Sequence, residues 1–279
     1  MKQILITGAD SYIGNSLAAH LQGPDYSISV LDVREPAWTE HSFSGYDTVI
    51  HLAAVVHQKE RPEMESLYFR VNRDLAVQAA RKAKAEGVGQ FIFMSSMSVY
   101  GVDTGIITPA TVPNPVSFYG KSKLAAEELI RAEGDGHFKI CILRPPMVYG
   151  PGCKGNFQTV VKLVKKLPVF PQLSNQRSMI CIDNLCAFLK LCIDEGESGL
   201  FFPQDRDYMQ TSRMARAIAE ALGRRVFFSH LAGLAVRLMI PFLSIAKKAF
   251  GSLVYRDTER HDYRYCIRTG LDPVVDSVR

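Results

Sequence analysis

KQILITGADSYIG, residues 2–14, is the stretch that decides the fold. Lys2 to Thr7 is a short apolar run that ends at Gly8, which predicts a buried strand. Ser11 to Leu21 then has the apolar spacing of a helix. A strand, a turn of small residues and a helix, in this order, let the backbone approach a pyrophosphate at the positive end of the helix.

The rest of the first half repeats this alternation of short apolar strands and amphipathic helices. Strands are predicted at Ser27–Asp32, Thr48–Ala54, Gln90–Ser95 and Phe138–Leu143, and long helices at Glu63–Glu86 and Ser117–Glu133. Such alternation predicts a parallel sheet that is covered on both faces. The predicted class is α/β, a Rossmann-like doubly wound parallel sheet with a smaller, mostly helical C-terminal substrate lobe. The predicted domains are 1–150 and 151–279, the second interleaved with the last strands.

Composition places the chain among ordinary globular proteins. Its 279 residues are 47% hydrophobic and 22% charged, with a formal net charge of +5. The basic residues are scattered and no nucleic-acid motif is present, so we predict no nucleic-acid partner. None of the six cysteines forms a Cys-x-x-Cys pair, and no histidine stands at metal-ligand spacing. The cysteines predict reduced core thiols in a cytoplasmic protein, and no metal site is predicted.

One apolar segment, Leu231 to Phe250, allows two interpretations. Arg237, Pro241, Lys247 and Lys248 interrupt it, so it falls short of a transmembrane span. It is either a buried or partner-facing helix, or a peripheral membrane contact.

Three polar residues indicate proton-transfer chemistry. Tyr119 and Lys123 stand four apart, so on a helix they share a face, and Ser96 lies upstream. A tyrosine normally titrates near pH 10, so losing its proton near neutrality requires about 4 kcal/mol. A lysine ammonium at about 5 Å supplies roughly 3 kcal/mol of this, and an oxidised nicotinamide would add positive charge. We therefore expect Lys123 to make Tyr119 acidic, while Ser96 holds the reacting oxygen.

A carboxylate supports a dinucleotide site. Asp32 follows the Gly turn by some twenty residues, at the end of the second predicted strand. At that point an Asp accepts hydrogen bonds from the adenosine ribose hydroxyls. His51 and His57, which flank the strand after it, are interpreted as structural histidines.

With these motifs the chain resembles the extended short-chain dehydrogenase/reductase family, in particular its nucleotide-sugar epimerases, dehydratases and 4-ketoreductases. The resemblance covers nearly the whole chain. It is strongest in Ile4–Gly14, Val49–Ala54, Phe91–Gly101, Tyr119–Glu128 and Leu143–Gly152.

The resemblance implies a role for each matching position. It implies Ser96, Tyr119 and Lys123 as the catalytic residues. The implied cofactor contacts are Gly8, Ser11, Tyr12, Ile13, Gly14, Asp32, Leu52, Ala53, Ala54, Asn72, Tyr119, Lys123 and Pro146. The implied substrate contacts are Ser96, Asn156, Phe157, Val169, Phe170 and Arg177. The implied cofactor is NAD, with NADP left open because of Arg34, and the implied substrate is a UDP-linked sugar.

Three departures from the family pattern bear on these roles. Ser11 stands where the pattern has a glycine, so a positive φ there would be strained. The segment from Asp32 to Thr48 is too short for a full crossover helix, so the adenine pocket is predicted to be abbreviated. Met147 replaces a polar residue and cannot make its hydrogen bond.

Several activities remain open at this point. Met97 and Ser98 stand where a dehydratase carries its acid and base, which argues against elimination of water. A nucleotide-sugar 4-epimerase is the first hypothesis and a 4-ketoreductase the second; a non-catalytic dinucleotide-binding regulator is the third. By analogy with the family we also expect a homodimer through the two long helices.

Overall fold

The structure is a computed structural model that describes residues 1–56, 58, 60–240, 242 and 244–278. Its strands are β1 (Lys2–Thr7), β2 (Tyr26–Leu31), β3 (Thr48–His51), β4 (Gln90–Met94), β5 (Gly105–Ile107), β6 (Lys139–Leu143), β7 (Met147–Tyr149), β8 (Val169–Pro171), β9 (Met179–Cys181), β10 (Gly199–Phe201), β11 (Phe227–Ser229) and β12 (Leu253–Tyr255). Its α-helices are α1 (Tyr12–His20), α2 (Glu65–Phe69), α3 (Leu75–Ala85), α4 (Phe118–Glu133), α5 (Asn156–Lys166), α6 (Ile182–Glu195), α7 (Thr211–Ala221), α8 (His230–Met239), α9 (Ser244–Phe250) and α10 (Asp272–Asp276).

The described chain divides into two compact units. Unit 1 comprises Met1–Gly101, Val112–Pro145 and Cys186–Pro203. Unit 2 comprises Val102–Thr111, Pro146–Leu185 and the chain from Gln204 onward. The domain boundaries predicted from the sequence, 1–150 and 151–279, remain a prediction.

Unit 1 contains a six-stranded, fully parallel sheet in the order β10-β6-β4-β3-β1-β2. The predicted α/β, Rossmann-like class is therefore confirmed. Every residue of β3 and β4 is buried, as expected of strands in a sheet that is covered on both faces. Leu5, Val49 and Phe91 from three adjacent strands pack with Ala76 and Ala80 of the α3 region in one core.

The segment between β2 and β3 covers the sheet without a crossover helix. It contains only a short 3₁₀ turn, Pro36–Glu40, which agrees with the predicted abbreviation. Trp38 and Phe43 from this segment are buried in the unit 1 core, with their ring centroids 6.2 Å apart. Two aromatic side chains thus fill the space that a helix face would otherwise occupy.

The long helix predicted over residues 63–86 is interrupted. A 3₁₀ turn at Pro62–Met64 leads into α2, and a π-helical turn at Arg70–Asp74 separates α2 from α3. Such π-turns are frequent at functional sites. This turn contains Asn72, which is fully buried.

Unit 2 is built from helices and three two-stranded parallel pairs: β7 with β9, β8 with β11, and β5 with β12. The sequence analysis predicted a mostly helical lobe in this part of the chain, and three-residue strands carry little periodicity by which they could be recognised. The apolar segment 231–250 forms α8 and α9 rather than one helix; Pro241 and Leu243 lie outside the described residues. Within the described part of the chain, no helix is both long enough and apolar enough to cross a bilayer.

Candidate functional site

The turn after β1 has the backbone geometry that a phosphate-binding turn needs. Gly8 has φ +108°, and a Cβ there would lie 2.8 Å from the backbone nitrogen of Ala53. Ser11 has φ −73°, so the strain considered for this position does not arise. The positive φ falls instead on Asp10, at 60°. The Ser11 hydroxyl accepts a hydrogen bond from the Gly14 N–H and caps α1 at its positive end.

Asp32 follows β2 directly and is engaged by a neighbour. Its carboxylate accepts hydrogen bonds from the backbone N–H of Arg34, at 2.9 Å, and from the Arg34 side chain. The side-chain contact is the largest cause that lowers the pKa of Asp32. The Arg34 guanidinium also lies 3.5 Å from Asp10. A cation therefore stands beside the predicted ribose acceptor.

Asn72 holds the loop that follows β3. Its side-chain oxygen accepts from the Val55 N–H at 2.7 Å, and its amide nitrogen donates to the Val55 carbonyl at 3.2 Å. The same nitrogen donates to the Ser122 hydroxyl at 3.1 Å, and Ser122 donates to the Tyr119 carbonyl at 3.0 Å. Val55, which directly follows Leu52, Ala53 and Ala54, is thereby connected through Asn72 to α4, the helix that carries Tyr119 and Lys123.

The start of α4 is capped by two side chains. Ser117 accepts from the Gly120 N–H at 3.0 Å, and the Glu60 carboxylate accepts from the N–H groups of Phe118 and Tyr119 at 2.9 and 3.0 Å. A Cβ at Gly120 would lie 2.6 Å from the Ser98 carbonyl oxygen, so the glycine lets α4 approach the turn that follows β4. This close approach brings Tyr119 next to Ser96. Glu60 was missed in the sequence analysis, since a contact across 59 residues leaves no local signal.

Lys123 lies in the interior of unit 1. It is 1% exposed, its Nζ donates to the Met94 carbonyl at 2.8 Å, and the same atom lies 4.5 Å from the centre of the Phe93 ring. Desolvation lowers the pKa of Lys123 to about 7, against a smaller opposing effect of Glu127. The lysine is therefore only partly charged near pH 7.

The expected acidification of Tyr119 is not found. Desolvation is the largest effect and raises the pKa of Tyr119 to about 12, although a hydrogen bond with Ser96 lowers it. Both shifts have one cause, because burial disfavours the charged form of each group. The structure places the Ser96 side chain beside Tyr119 and Lys123 one turn further along α4, and these surroundings favour the protonated phenol.

A buried ion pair supports the same helix. Glu127 is 1% and Arg144 5% exposed at the side chain, and the Arg144 Nε lies 3.0 Å from a Glu127 carboxylate oxygen. Tyr100 accepts from Arg144 at 2.8 Å, and Ser95 donates to Glu127. Glu127 lies four residues after Lys123 and so on the same face of the helix. This spacing could have identified Glu127 from the sequence, but the sequence analysis did not use it.

His51, which the sequence analysis interpreted as a structural histidine, lies in the interior of unit 1. It is fully buried at the end of β3, its Nδ1 lies 2.8 Å from the Thr7 hydroxyl, and its ring stacks on Phe91 and Phe93. Desolvation lowers its pKa to about 3, so it stays neutral near pH 7. His57 lies outside the described residues.

The predicted substrate residues other than Ser96 belong to unit 2. Asn156 is exposed at the first position of α5, whereas Phe157 is buried and stacks on Tyr149 at 5.8 Å. Val169 is partly exposed on β8, and Phe170 is buried between Phe228 and Phe250.

The buried rings of Phe157 and Phe170 leave only their backbone groups for a ligand. Arg177 is part-buried, and its Nη1 donates to the Gly251 carbonyl at 2.8 Å. Its guanidinium retains further donors for an anion. Pro146 and Met147 lie at the start of the second segment of unit 2.

The residues of unit 1 fit a dinucleotide. A Cβ at Gly8 would fill the space above the turn after β1. The capped start of α1 presents the positive end of a helix, and Asp32 supplies a carboxylate directly after β2. Gly8 to Gly14 would hold the pyrophosphate, Asp32 the ribose, and Leu52 to Ala54 would border the cofactor.

Comparison with known proteins decides the family. The family model described as "NAD dependent epimerase/dehydratase family" matches residues 4–201. This chain belongs to that family. It is thus a member of an NAD(P)-dependent enzyme family, the group to which the sequence resemblance pointed.

Individual relatives agree with this membership. A UDP-glucose 4-epimerase of Vibrio cholerae is 32% identical over 251 residues, which cover 80% of this chain and 76% of the relative. The fold is shared with the UDP-glucuronic acid 4-epimerase of Bacillus cereus in complex with UDP-glucuronic acid and NAD (TM-score 0.77, 19% identity, 99% and 98% coverage). It is also shared with the dTDP-4-dehydrorhamnose reductase of Bacillus anthracis in complex with NADP (TM-score 0.68, 20% identity, 82% and 83% coverage).

Proposed function

We propose that this family member is an NAD-dependent 4-epimerase of a UDP-hexose. The observation that carries the proposal is the placement of Tyr119 and Lys123 one turn apart on α4, with the Ser96 side chain near enough to lower the pKa of Tyr119. The 32% identity to a UDP-glucose 4-epimerase supports the choice of reaction. Met97 and Ser98 support it as well, because neither supplies the carboxylate that elimination of water requires.

In the proposed reaction Tyr119 accepts the proton of the sugar O4 hydroxyl and later returns it. Ser96 holds that oxygen by a hydrogen bond. A bound NAD supplies the acceptor for the C4 hydride and, in its oxidised form, a positive charge. Because the pKa of Tyr119 is about 12 with the chain's own residues alone, such a charge is needed to lower it. We therefore propose that Tyr119 becomes an effective base only when oxidised cofactor is bound.

For the substrate we propose that Arg177 binds a phosphate of the UDP group. Its planar guanidinium can donate two parallel hydrogen bonds to a phosphate. Asn156 and the backbone of Phe157 would contact the diphosphate at the start of α5. The backbone of Val169 and Phe170 would contact the uracil, which agrees with the burial of the Phe170 ring.

The second candidate is an NAD(P)H-dependent reductase of a UDP-4-keto-6-deoxy sugar in surface polysaccharide synthesis. Two observations favour it. The raised pKa of Tyr119 keeps the phenol protonated near neutral pH, as a proton donor must be. The short segment between β2 and β3, with Arg34 beside Asp32, suits a cofactor that enters and leaves.

Two measurements on the purified protein distinguish the candidates. Mass spectrometry after denaturation is expected to release NAD, because an epimerase has no net redox change and retains its cofactor. Incubation with UDP-galactose is expected to yield UDP-glucose without consumption of reduced cofactor. A cofactor-free protein that oxidises NADPH only with a UDP-4-keto sugar would instead establish the reductase.

A homodimer remains our proposal for the assembly. It would form through the region of α2 and α3 together with α4, and Leu129 on α4 is exposed. Light scattering coupled to size exclusion is expected to give twice the chain mass, and a monomer at all concentrations would contradict it.

A further inference from the structure

Unit 2 exposes a group of large apolar side chains along α8 and beside it. Leu231, Leu234 and Leu238 are spaced at i, i+3 and i+7, so they lie along one face of the helix. Leu231 is 81%, Leu238 67% and the nearby Phe242 84% exposed. We call this group the α8 apolar surface; its members are Phe227, Leu231, Leu234, Leu238, Met239 and Phe242.

The opposite face of α8 is fixed, so the helix cannot turn to bury its leucines. Gly233 is buried, and a Cβ there would lie 2.0 Å from the Gln172 carbonyl oxygen just after β8. The Ser229 hydroxyl caps the helix by accepting from the Ala232 N–H at 3.2 Å. Phe170 of β8 packs on both Phe228 and Phe250 at 5.8 Å, which holds the chain before and after α8.

The charge of this region has a single sign. From residue 221 to residue 256 the sequence contains no Asp or Glu, although the whole chain has 28 acidic residues. The basic residues of this segment are Arg224, Arg225, Arg237, Lys247, Lys248 and Arg256. Arg224 and Arg225 line an open cavity of 440 Å³ together with Arg216 and Phe227, and Glu220, just before the segment, is the one acidic residue in this lining. The apolar surface thus has basic residues before it, within it and after it in sequence.

We propose that the α8 apolar surface docks on an anionic lipid bilayer. An amphipathic helix with an apolar stripe and basic neighbours lies in the plane of the membrane interface, with its apolar side chains among the acyl chains. The basic side chains then meet lipid phosphates, which hold the negative surface charge. α8 has only ten residues, so it fits an interfacial position and not a span.

A second copy of the chain fits this surface less well. In a two-fold contact the same patch meets itself, so the basic residues of both copies would face each other without an acidic partner from this segment. Charge complementarity therefore selects the bilayer. The proposal concerns a different surface from Tyr119 and Lys123 and does not depend on the proposed epimerase reaction.

Vesicle flotation tests the proposal. The full chain is mixed with vesicles of phosphatidylcholine alone or of phosphatidylcholine with phosphatidylglycerol. We expect flotation with the anionic vesicles only, weakened by added salt. Leu231→Ser/Leu238→Ser is expected to lower the partition coefficient at least about tenfold, since two leucines leave the acyl region. Arg225→Ser/Arg237→Ser is expected to weaken binding to anionic vesicles as well.

The matched control is Val112→Ser/Val116→Ser, which removes two valines outside the α8 apolar surface. Their exposed fractions are 80% and 72%. It should float like the parent, and thermal melting should show that all variants are folded. The proposal is overturned if the parent does not float with anionic vesicles, or if the leucine variant floats as well as the parent. It is also overturned if the leucine variant changes a dimer into a monomer without lipid, because a second copy would then cover the surface.

Discussion

The Nζ of Lys123 donates a hydrogen bond to the carbonyl oxygen of Met94 at 2.8 Å, so the lysine is anchored to the end of β4. Ser95 and Ser96 follow Met94 directly. The contact therefore ties the Tyr119 helix to the strand end that carries Ser96. Anchoring has an electrostatic cost, since the ammonium is desolvated there and its pKa falls to about 7.

The first prediction concerns the pH dependence of stability. The ordinary pKa of a lysine is 10.5, and that of Lys123 in the folded protein is about 7. Between these values the unfolded chain holds the extra proton, so the free energy of unfolding rises with pH in this window. The stability that the folded protein has with a neutral Lys123 is fully present above the pKa of 10.5 in the unfolded chain. It is lost as the pH falls through the pKa of about 7 in the folded protein.

Urea unfolding of the parent and of Lys123→Met between about pH 7 and about pH 10 measures this contribution, whose slope is at most about 1.4 kcal/mol per pH unit. The parent should gain stability relative to the variant as the pH rises. Lys121→Met, which changes an exposed lysine in the same helix, should follow the parent. Parallel curves for the parent and Lys123→Met would contradict the lowered pKa.

The second prediction concerns Glu60 as a positioning residue. Glu60→Ala removes both acceptors from the Phe118 and Tyr119 N–H groups, so the first turn of α4 loses a cap worth about 1 kcal/mol. We expect kcat to fall about tenfold with KM little changed, because the phenol is displaced while the substrate residues are untouched. Glu60→Gln, which keeps one acceptor, should lie between Glu60→Ala and the parent.

Steady-state kinetics of these two variants check the expectation. Glu63→Gln, at a nearby exposed glutamate, is the control and should match the parent. Loss of stability with unchanged kcat would assign Glu60 a purely structural role.

The third prediction concerns the buried pair of Glu127 and Arg144. Removing one member leaves an unpaired buried charge, so Glu127→Leu and Arg144→Met should each cost about 3–5 kcal/mol. The double variant should cost less than the sum, since no charge is then left alone. A double-mutant cycle by denaturant unfolding measures the coupling, and additive effects would show that the pair contributes no interaction energy.

The fourth prediction concerns cofactor choice. Asp32→Ala frees the Arg34 guanidinium from its carboxylate partner, so it can meet a 2′-phosphate. We expect weaker NAD binding and stronger NADP binding, measured by calorimetry. Asp25→Ala, an exposed acid just before β2, should change neither. Unchanged NAD affinity in Asp32→Ala would remove Asp32 from the proposed ribose site.

The parallel sheet and the βα turn were predictable, because local apolar periodicity fixes β1, α1 and the central strands. The π-turn at Arg70–Asp74 was not predictable in this way. It depends on Asn72 reaching Val55, 17 residues before it, and Ser122, 50 residues after it. Contacts over such distances leave no periodic pattern.

In the candidate site, too, the spacing of residues was predictable from the sequence, whereas their burial was not. Spacing placed Tyr119 and Lys123 on one helix face, but it carries no information on desolvation. Burial outweighs the opposing effect of Ser96 and raises the pKa of Tyr119. The spacing of the leucines in α8 could likewise be predicted from the sequence. Their exposure could not, because it depends on the contact of Gly233, on the opposite face of the helix, with Gln172.

The most direct test of the central claim is the rate of UDP-galactose to UDP-glucose interconversion by Tyr119→Phe beside the parent, both with NAD added. The hydroxyl is the only group removed, so NAD affinity and melting temperature should stay close to those of the parent. We predict that kcat falls about 100-fold or more, as expected when an acid–base group is lost. A folded, NAD-binding Tyr119→Phe protein that turns over substrate as fast as the parent would contradict the account.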